Sequence, residues 1–209
     1  MKHDIFFDPD DHVYLVDGEE VPSVTSILQP LHRDYDKINP ATLQYAANRG
    51  SAVHEALEAY DLGGELEGYP EIEGYLRAYL DWESVYRPTW TDVEQIVYNE
   101  QDSYIGTLDR AGYFNGGDVL NIVDIKTSQP TKSALVSVSL QTYAYAQAYA
   151  KDRAGSIDRW GLFLKKDGTW RFQNCREYED KNKYLACDAW TQLLMTHHIV
   201  SLLLKTGGK

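Results

Sequence analysis

Residues 104–127 read "YIGTLDRAGYFNGGDVLNIVDIKT", two runs rich in β-branched and aromatic residues separated by Asn-Gly-Gly-Asp, a pattern that predicts a tight β-hairpin. A hairpin of this kind ties every residue of one arm to a partner on the other. With Gly116-Gly117 as a two-residue loop, Asn115 pairs with Asp118, and counting back along both arms sets Asp109 directly opposite Asp124. Moving the loop to Asn115-Gly116 makes Asp109 a diagonal neighbour of Asp124, still on the same face. On the second arm Asp124 and Lys126 share one face, while Val123 and Ile125 take the other. Directly opposed residues have Cβ atoms about 4.5–5.5 Å apart and like charges there repel, so a positive charge is expected between the aspartates. Lys126 is one candidate and a hard divalent cation held by oxygen ligands is another. A purely structural Asp–Lys–Asp cluster at the sheet rim satisfies the same geometry.

Around this hairpin the chain alternates helical and strand patterns. "IFFDPDDHVYLVDGEE" predicts an N-terminal hairpin, followed by a turn at Pro22 and a short helix capped by Ser23. "NPATLQYAANRGSAVHEALEAYDLGG" opens with Asn39 as cap and Pro40 at the first helical position and closes at Gly63-Gly64, with Gly50 as an expected division into two helices. "PEIEGYLRAYLDWESVY" predicts a further amphipathic helix, and "WTDVEQIVYNE" a strand before the 104–127 pair. After Pro130 follow a helix through "SALVSVSLQTYAYAQAYAKD", a hairpin turning at Asp167-Gly168, and a last helix from about Glu179 to about Leu204. The expected fold class is therefore α/β, a mixed central β-sheet flanked by helices. A length of 209 residues fits one domain, divided into an N-terminal hairpin and helices over 1–88, a core over 89–175 and a C-terminal helix over 176–209.

Composition narrows the function classes. The apolar stretch "WTQLLMTHHIVSLLLK" is interrupted by Gln, Thr and two His and predicts a packed helix, not a membrane span. The acidic N-terminus has no apolar run fit for a signal peptide and lacks the Arg-rich character of a transit sequence, so a cytoplasmic location is expected. Two cysteines, Cys175 and Cys187, are too few for a disulfide framework, a four-thiolate zinc site or an iron–sulfur cluster, and buried free thiols are expected. A net charge of −12 disfavours nonspecific binding to nucleic acid. Any contact with DNA must then come from a confined basic patch, for which Arg33, Lys37, Arg49, Lys132, Arg153, Lys165 and Lys166 are available, together with bound metal.

Two further groups bear on chemistry. His54 lies beside the apolar stripe of its helix, where a histidine is a core residue, a surface residue or a metal ligand; a two-carboxylate site elsewhere would accept an imidazole. Gly50, one turn earlier, leaves room for a chain segment or a phosphate backbone. In "LQTYAYAQAYA" Gln141 and Tyr145 are spaced i, i+4 and share a helix face, whereas Tyr143, Tyr145 and Tyr149 taken singly read as core aromatics.

Taken in order, "RGSAVHEALE", "GTLDR", "VDIKTS" and "QTYAY" resemble the RecB-like exonuclease branch of the PD-(D/E)xK nuclease superfamily over about residues 49 to 150, and "VPSVTSIL" extends the likeness towards mitochondrial genome-maintenance exonucleases and phage relatives. The resemblance implies a metal-dependent deoxyribonuclease acting from DNA ends with Mg²⁺ or Mn²⁺. It implies that His54, Asp109 and Asp124 are metal ligands, that the carbonyl of Ile125 completes the coordination, and that Lys126 is the catalytic lysine positioning the attacking water. Gln141 and Tyr145 match the branch's Q-x(3)-Y motif and would orient the lysine or contact the strand, with Arg49 and Gly50 beside the DNA. An acidic residue on the preceding strand belongs to the same pattern, and Glu94 and Glu100 compete for it. DNA is the implied partner, with a single-strand-annealing protein as a companion by family association only. No Walker-type phosphate loop is present, so no helicase motor is built in. A structure-specific endonuclease on the same fold and a catalytically silent binding module are the competing readings.

Overall fold

A computed structural model describes residues 3–8, 13–32, 38–150, 154 and 156–206. Arg33, Lys37 and Arg153 of the candidate basic patch lie outside the described residues. At the N-terminus, β1 (Ile5–Asp8), β2 (Val13–Val16) and β3 (Glu19–Val21) form an antiparallel meander, one strand more than the expected hairpin. Asp17 and Gly18 both take positive φ, 53° and 84°, the conformation of a tight two-residue turn. It is this turn that lets so short a third strand pair with β2. Helix α1 (Val24–Leu28) starts at Ser23, whose hydroxyl accepts the Ser26 N–H. Next comes α2 (Pro40–Asp61), with Asn39 as its cap, and α3 (Glu73–Tyr86). Gly50 does not divide α2: a lone glycine weakens a helix but leaves its hydrogen bonds intact.

The main sheet consists of β4 (Pro88–Asn99), β5 (Tyr104–Phe114), β6 (Asn121–Lys126), β7 (Asp158–Leu164) and β8 (Trp170–Asn174), in that spatial order. Helix α4 (Lys132–Ala150) carries the chain from β6 to β7, the one parallel pair. The sheet is mixed and flanked by helices, the architecture expected from the alternation of patterns. Its centre, β6, is buried through Ile125. Val123 and Ile125 pack in the cluster under α2 and α3, and Ile122 packs in the cluster under α4, so the period of two places Asp124 on the α4 side.

The C-terminal region departs from the expected single helix. It forms α5 (Cys175–Asn182) and α6 (Ala186–Thr206), separated by Lys183 in the left-handed region at φ 57°. The Tyr184 N–H donates to Glu179 O at 3.3 Å, closing α5 as an αL cap closes a helix. Of the two free thiols, Cys175 is buried as expected, whereas Cys187 is only half-buried. Among the described residues no helix is long and apolar enough to cross a membrane.

Candidate metal centre

The hairpin register is the expected one: Gly112 pairs with Asn121, Ala111 with Ile122 and Arg110 with Val123. Its turn, however, sits at Asn115-Gly116, both at positive φ. The extra residues loop out before Asn121, so the strands and not the turn set the register. The ladder also stops at Arg110–Val123. Just beyond it, where Asp109 would face Asp124, a side chain takes over from the main chain: the Ile125 N–H donates to Asp109 Oδ2 at 2.6 Å. The two aspartates therefore stand at a fork between β5 and β6 and not across a closed ladder.

Three elements converge on this fork. From α2, His54 places Nε2 3.0 Å from Ile125 O and 4.0 Å from Asp109 Oδ2, while Nδ1 lies 3.2 Å from Glu94 Oε1 on β4. One ligand atom each from His54, Glu94 and Asp109 lies within 4.8 Å of the others. Of the two acidic candidates on the preceding strand, Glu94 is the one at the site; Glu100 lies 3.5 Å from His3, outside it. Asp124 is not within this trio. Fully buried, it faces the Lys126 ammonium, with Nζ 2.9 Å from Oδ1 and 2.8 Å from Oδ2, so the expected convergence of His54, Asp109 and Asp124 is replaced by His54, Glu94 and Asp109 with a Lys126–Asp124 pair alongside. The side chains of Lys126, His54 and Glu94 are 30%, 26% and 20% exposed, which makes this the open side of the site.

The charge balance fits that arrangement. Burial opposes a charge on His54, but the Asp109 and Glu94 carboxylates outweigh it and push the imidazolium up to about 9. Both ring nitrogens face acceptors, as a doubly protonated ring requires. Burial raises Asp124, against the pull of the Lys126 charge and with a further push from Asp109. The donor set, two carboxylates, a main-chain carbonyl and an imidazole that must lose its proton, is the chemistry that Mg²⁺ or Mn²⁺ accepts.

Glu94 carries a local strain. Its neighbours Val93 and Gln95 are both laddered to β5, yet Glu94 itself has φ 46°, a left-handed conformation that costs a non-glycine residue about 1–2 kcal/mol. The cost is offset by Arg110, whose Nη1 donates to Glu94 Oε1 at 2.9 Å.

Gln141 and Tyr145 lie beneath the site: both are buried, and Gln141 Nε2 donates to the Tyr145 hydroxyl at 3.0 Å. Burial and the charges of Asp124 and Asp109 raise Tyr145 well above the usual phenol range, so it stays neutral next to the carboxylates. Its ring explains the glycine of "GTLD": a Cβ at Gly106 would stand 2.8 Å from Tyr145 Cε1 and 3.3 Å from Val24 Cγ2. Gly106→Ala is therefore expected to destabilise the protein by about 1–3 kcal/mol, read as a lower midpoint in urea. Arg49 leans on the Tyr75 ring and reaches to 3.5 Å from Thr127 O. Gly50 would bring a Cβ only to 3.7 Å from Thr127 Oγ1, so protein packing does not require glycine there. Lys165 follows Phe163, the partner of Lys126 on the adjoining parallel strand, by two residues.

Sequence reasoning missed Arg110 and Asp61. The Arg110 guanidinium is fully buried and donates from Nε to Asp61 Oδ2 at 2.6 Å. The available signal was the spacing: Asp61 follows His54 by seven residues, two helical turns, and so shares its face. No protein-family model and no curated protein matches the chain, and its functional reading rests on this geometry together with the likeness of its motifs.

Proposed function

We propose that the chain is a Mg²⁺- or Mn²⁺-dependent DNA exonuclease on a PD-(D/E)xK core. It hydrolyses phosphodiester bonds from free ends and favours single-stranded DNA or single-stranded tails, in phage or cellular recombination, replication or repair. The observation that carries this reading is the meeting of His54, Glu94 and Asp109 around the main chain of Ile125, one residue from Lys126. Those three side chains and the Ile125 carbonyl would hold the cation. When bound, the cation supplies a hydroxide from water at neutral pH and offsets charge developing on the phosphate. Asp124 anchors Lys126, so its ammonium is held at the open side, where it would meet the attacking water and a phosphate oxygen. Gln141 and Tyr145 would support the carboxylates from below, and Arg49 would meet the DNA backbone.

The decisive experiment is digestion of end-labelled linear and circular single-stranded DNA with Mg²⁺, with Mn²⁺ and with chelator. Loss of the linear form alone, dependent on metal, is the expected result. Cutting of the circle would indicate the endonuclease reading, and no cutting of either a silent binding module.

The His54 proton makes a separate prediction. With its folded pKa raised from 6.5 to about 9, His54 contributes stability that is fully present below about pH 6.5 and is lost as pH rises through about 9. A cation must displace that proton. Between pH 7 and 9 the chelated protein is expected to melt at falling temperature, while Mn²⁺ affinity rises about tenfold per pH unit, as one displaced proton requires. Calorimetry in two buffers of different ionisation enthalpy counts the protons released, and an affinity flat across this range would contradict the assignment of His54 as a ligand.

A further inference from the structure

Arg110 joins three pieces of the fold at one guanidinium. Its Nε donates to Asp61 at the end of α2, and its Nη1 donates both to Glu94 on β4 and, at 2.7 Å, to the main-chain oxygen of Asp109 on β5. Asp61 is itself held by the Tyr79 hydroxyl of α3, at 2.9 and 2.7 Å, and Tyr79 accepts from Trp90 Nε1 at 3.2 Å. The chain of contacts thus runs from the aromatic core under α3 through Asp61 and Arg110 to Glu94, and from Glu94 to His54. Because His54 and Asp61 share one face of α2, the helix that carries the imidazole also carries the anchor of the guanidinium. Any slide of α2 along the sheet would move both.

The surroundings of Glu94 show what this network does. A glutamate in the left-handed region between two laddered residues would relax to an extended backbone unless its side chain were held. Among the described residues its side chain meets His54 and Arg110. Of these, Arg110 is the fully buried one and is fixed at three points, and a lysine, a point charge without the guanidinium fork, could not hold Asp61, the Asp109 carbonyl and Glu94 together. We infer that Arg110 and Asp61 are positioning residues for the metal centre: the buried pair holds the Glu94 carboxylate beside His54 and Asp109 in advance of the cation and thereby sets the affinity of the site for a divalent ion. This assignment rests on the metal-dependent reading above and adds to it which residues outside the ligand set tune the ion.

The test is Mn²⁺ binding to the full chain, followed by the paramagnetic resonance of free Mn²⁺, for the wild type, Asp61→Asn, Arg110→Lys and, as a control remote from the site, Glu179→Gln, each checked for folding by circular dichroism. Asp61→Asn and Arg110→Lys are expected to weaken Mn²⁺ binding by about 10–100-fold and to raise the Mn²⁺ concentration that half-activates cleavage by the same factor. Glu179→Gln is expected to leave the affinity at the wild-type value even where it melts earlier. Unchanged Mn²⁺ affinity in Asp61→Asn or Arg110→Lys, with only a lower melting temperature, would overturn the assignment and leave a merely structural ion pair. If both variants fail to fold, Tyr79→Phe, which removes one neutral donor from Asp61, must weaken binding by at least about threefold, and wild-type affinity in it overturns the assignment instead. Wild-type protein that binds no Mn²⁺ would remove the metal-site reading and this assignment together, whereas wild-type binding with insensitive variants removes the assignment alone.

Discussion

Lys126→Ala protein is expected to digest linear single-stranded DNA about 10³-fold more slowly than the wild type at saturating Mn²⁺, while its far-ultraviolet dichroism and Mn²⁺ affinity stay close to those of the wild type. The size follows from removing a preorganised donor aimed at developing charge in a partly dry site. The retained fold follows from burial. Lys126 is the half-exposed member of its pair, and its loss leaves behind Asp124, a carboxyl that burial already pushes towards the neutral form. A protonated Asp124 can remain where it is. Asp124→Ala is expected to lose activity to a similar degree for the complementary reason: an unanchored lysine swings towards solvent and no longer holds its ammonium beside the phosphate. Undiminished cleavage by either purified variant would dispose of this active-site assignment, because the two side chains form the pair beside Ile125 on which it rests.

Glu179→Ala is expected to lower stability by about 3–5 kcal/mol, a fall in melting temperature of roughly 6–20 °C for a chain of this size. Glu179 and Arg159 are both buried. Arg159 Nη2 donates to the two Glu179 oxygens at 2.9 and 3.1 Å, and Nη1 donates to Ser139 O at 2.9 Å, so one ion pair ties α5 and β7 to α4. Truncating the glutamate leaves an uncompensated guanidinium over the Tyr143 ring, a far larger cost than losing an exposed pair. Thermal melting by calorimetry measures the effect. A shift of less than about 1 kcal/mol, the scale of an exposed pair, would mean that water reaches Arg159.

Much of the fold was legible because its signals are local. The cap at Asn39 with Pro40 behind it, the runs of β-branched and aromatic residues in β5 and β6, and the glycine at Gly168 each act within a few residues, and each marks a structural feature at the expected place. The errors arose where a local signal was outvoted. Gly50 suggested a break that the helical hydrogen bonds of α2 do not make. The long apolar pattern of the C-terminus concealed the αL residue Lys183, because the end of α5 is settled by Glu179 turning inward to Arg159, a partner twenty residues away.

At the candidate site the sequence determined which residues share a strand face and in what register: period-two alternation and residue counting place Asp109 and Asp124 together, and Asp124 beside Lys126. Only the tertiary structure decided which charges pair. The fork between β5 and β6 gives the Ile125 N–H to Asp109, burial leaves Asp124 to Lys126, and the docking of α2 brings His54 to Glu94 and Asp61 to Arg110. These partners lie from two to 49 residues apart. A charge in a buried site is settled by whatever opposite charge or donor the packing brings within about 3 Å, and sequence spacing along one element does not contain that distance.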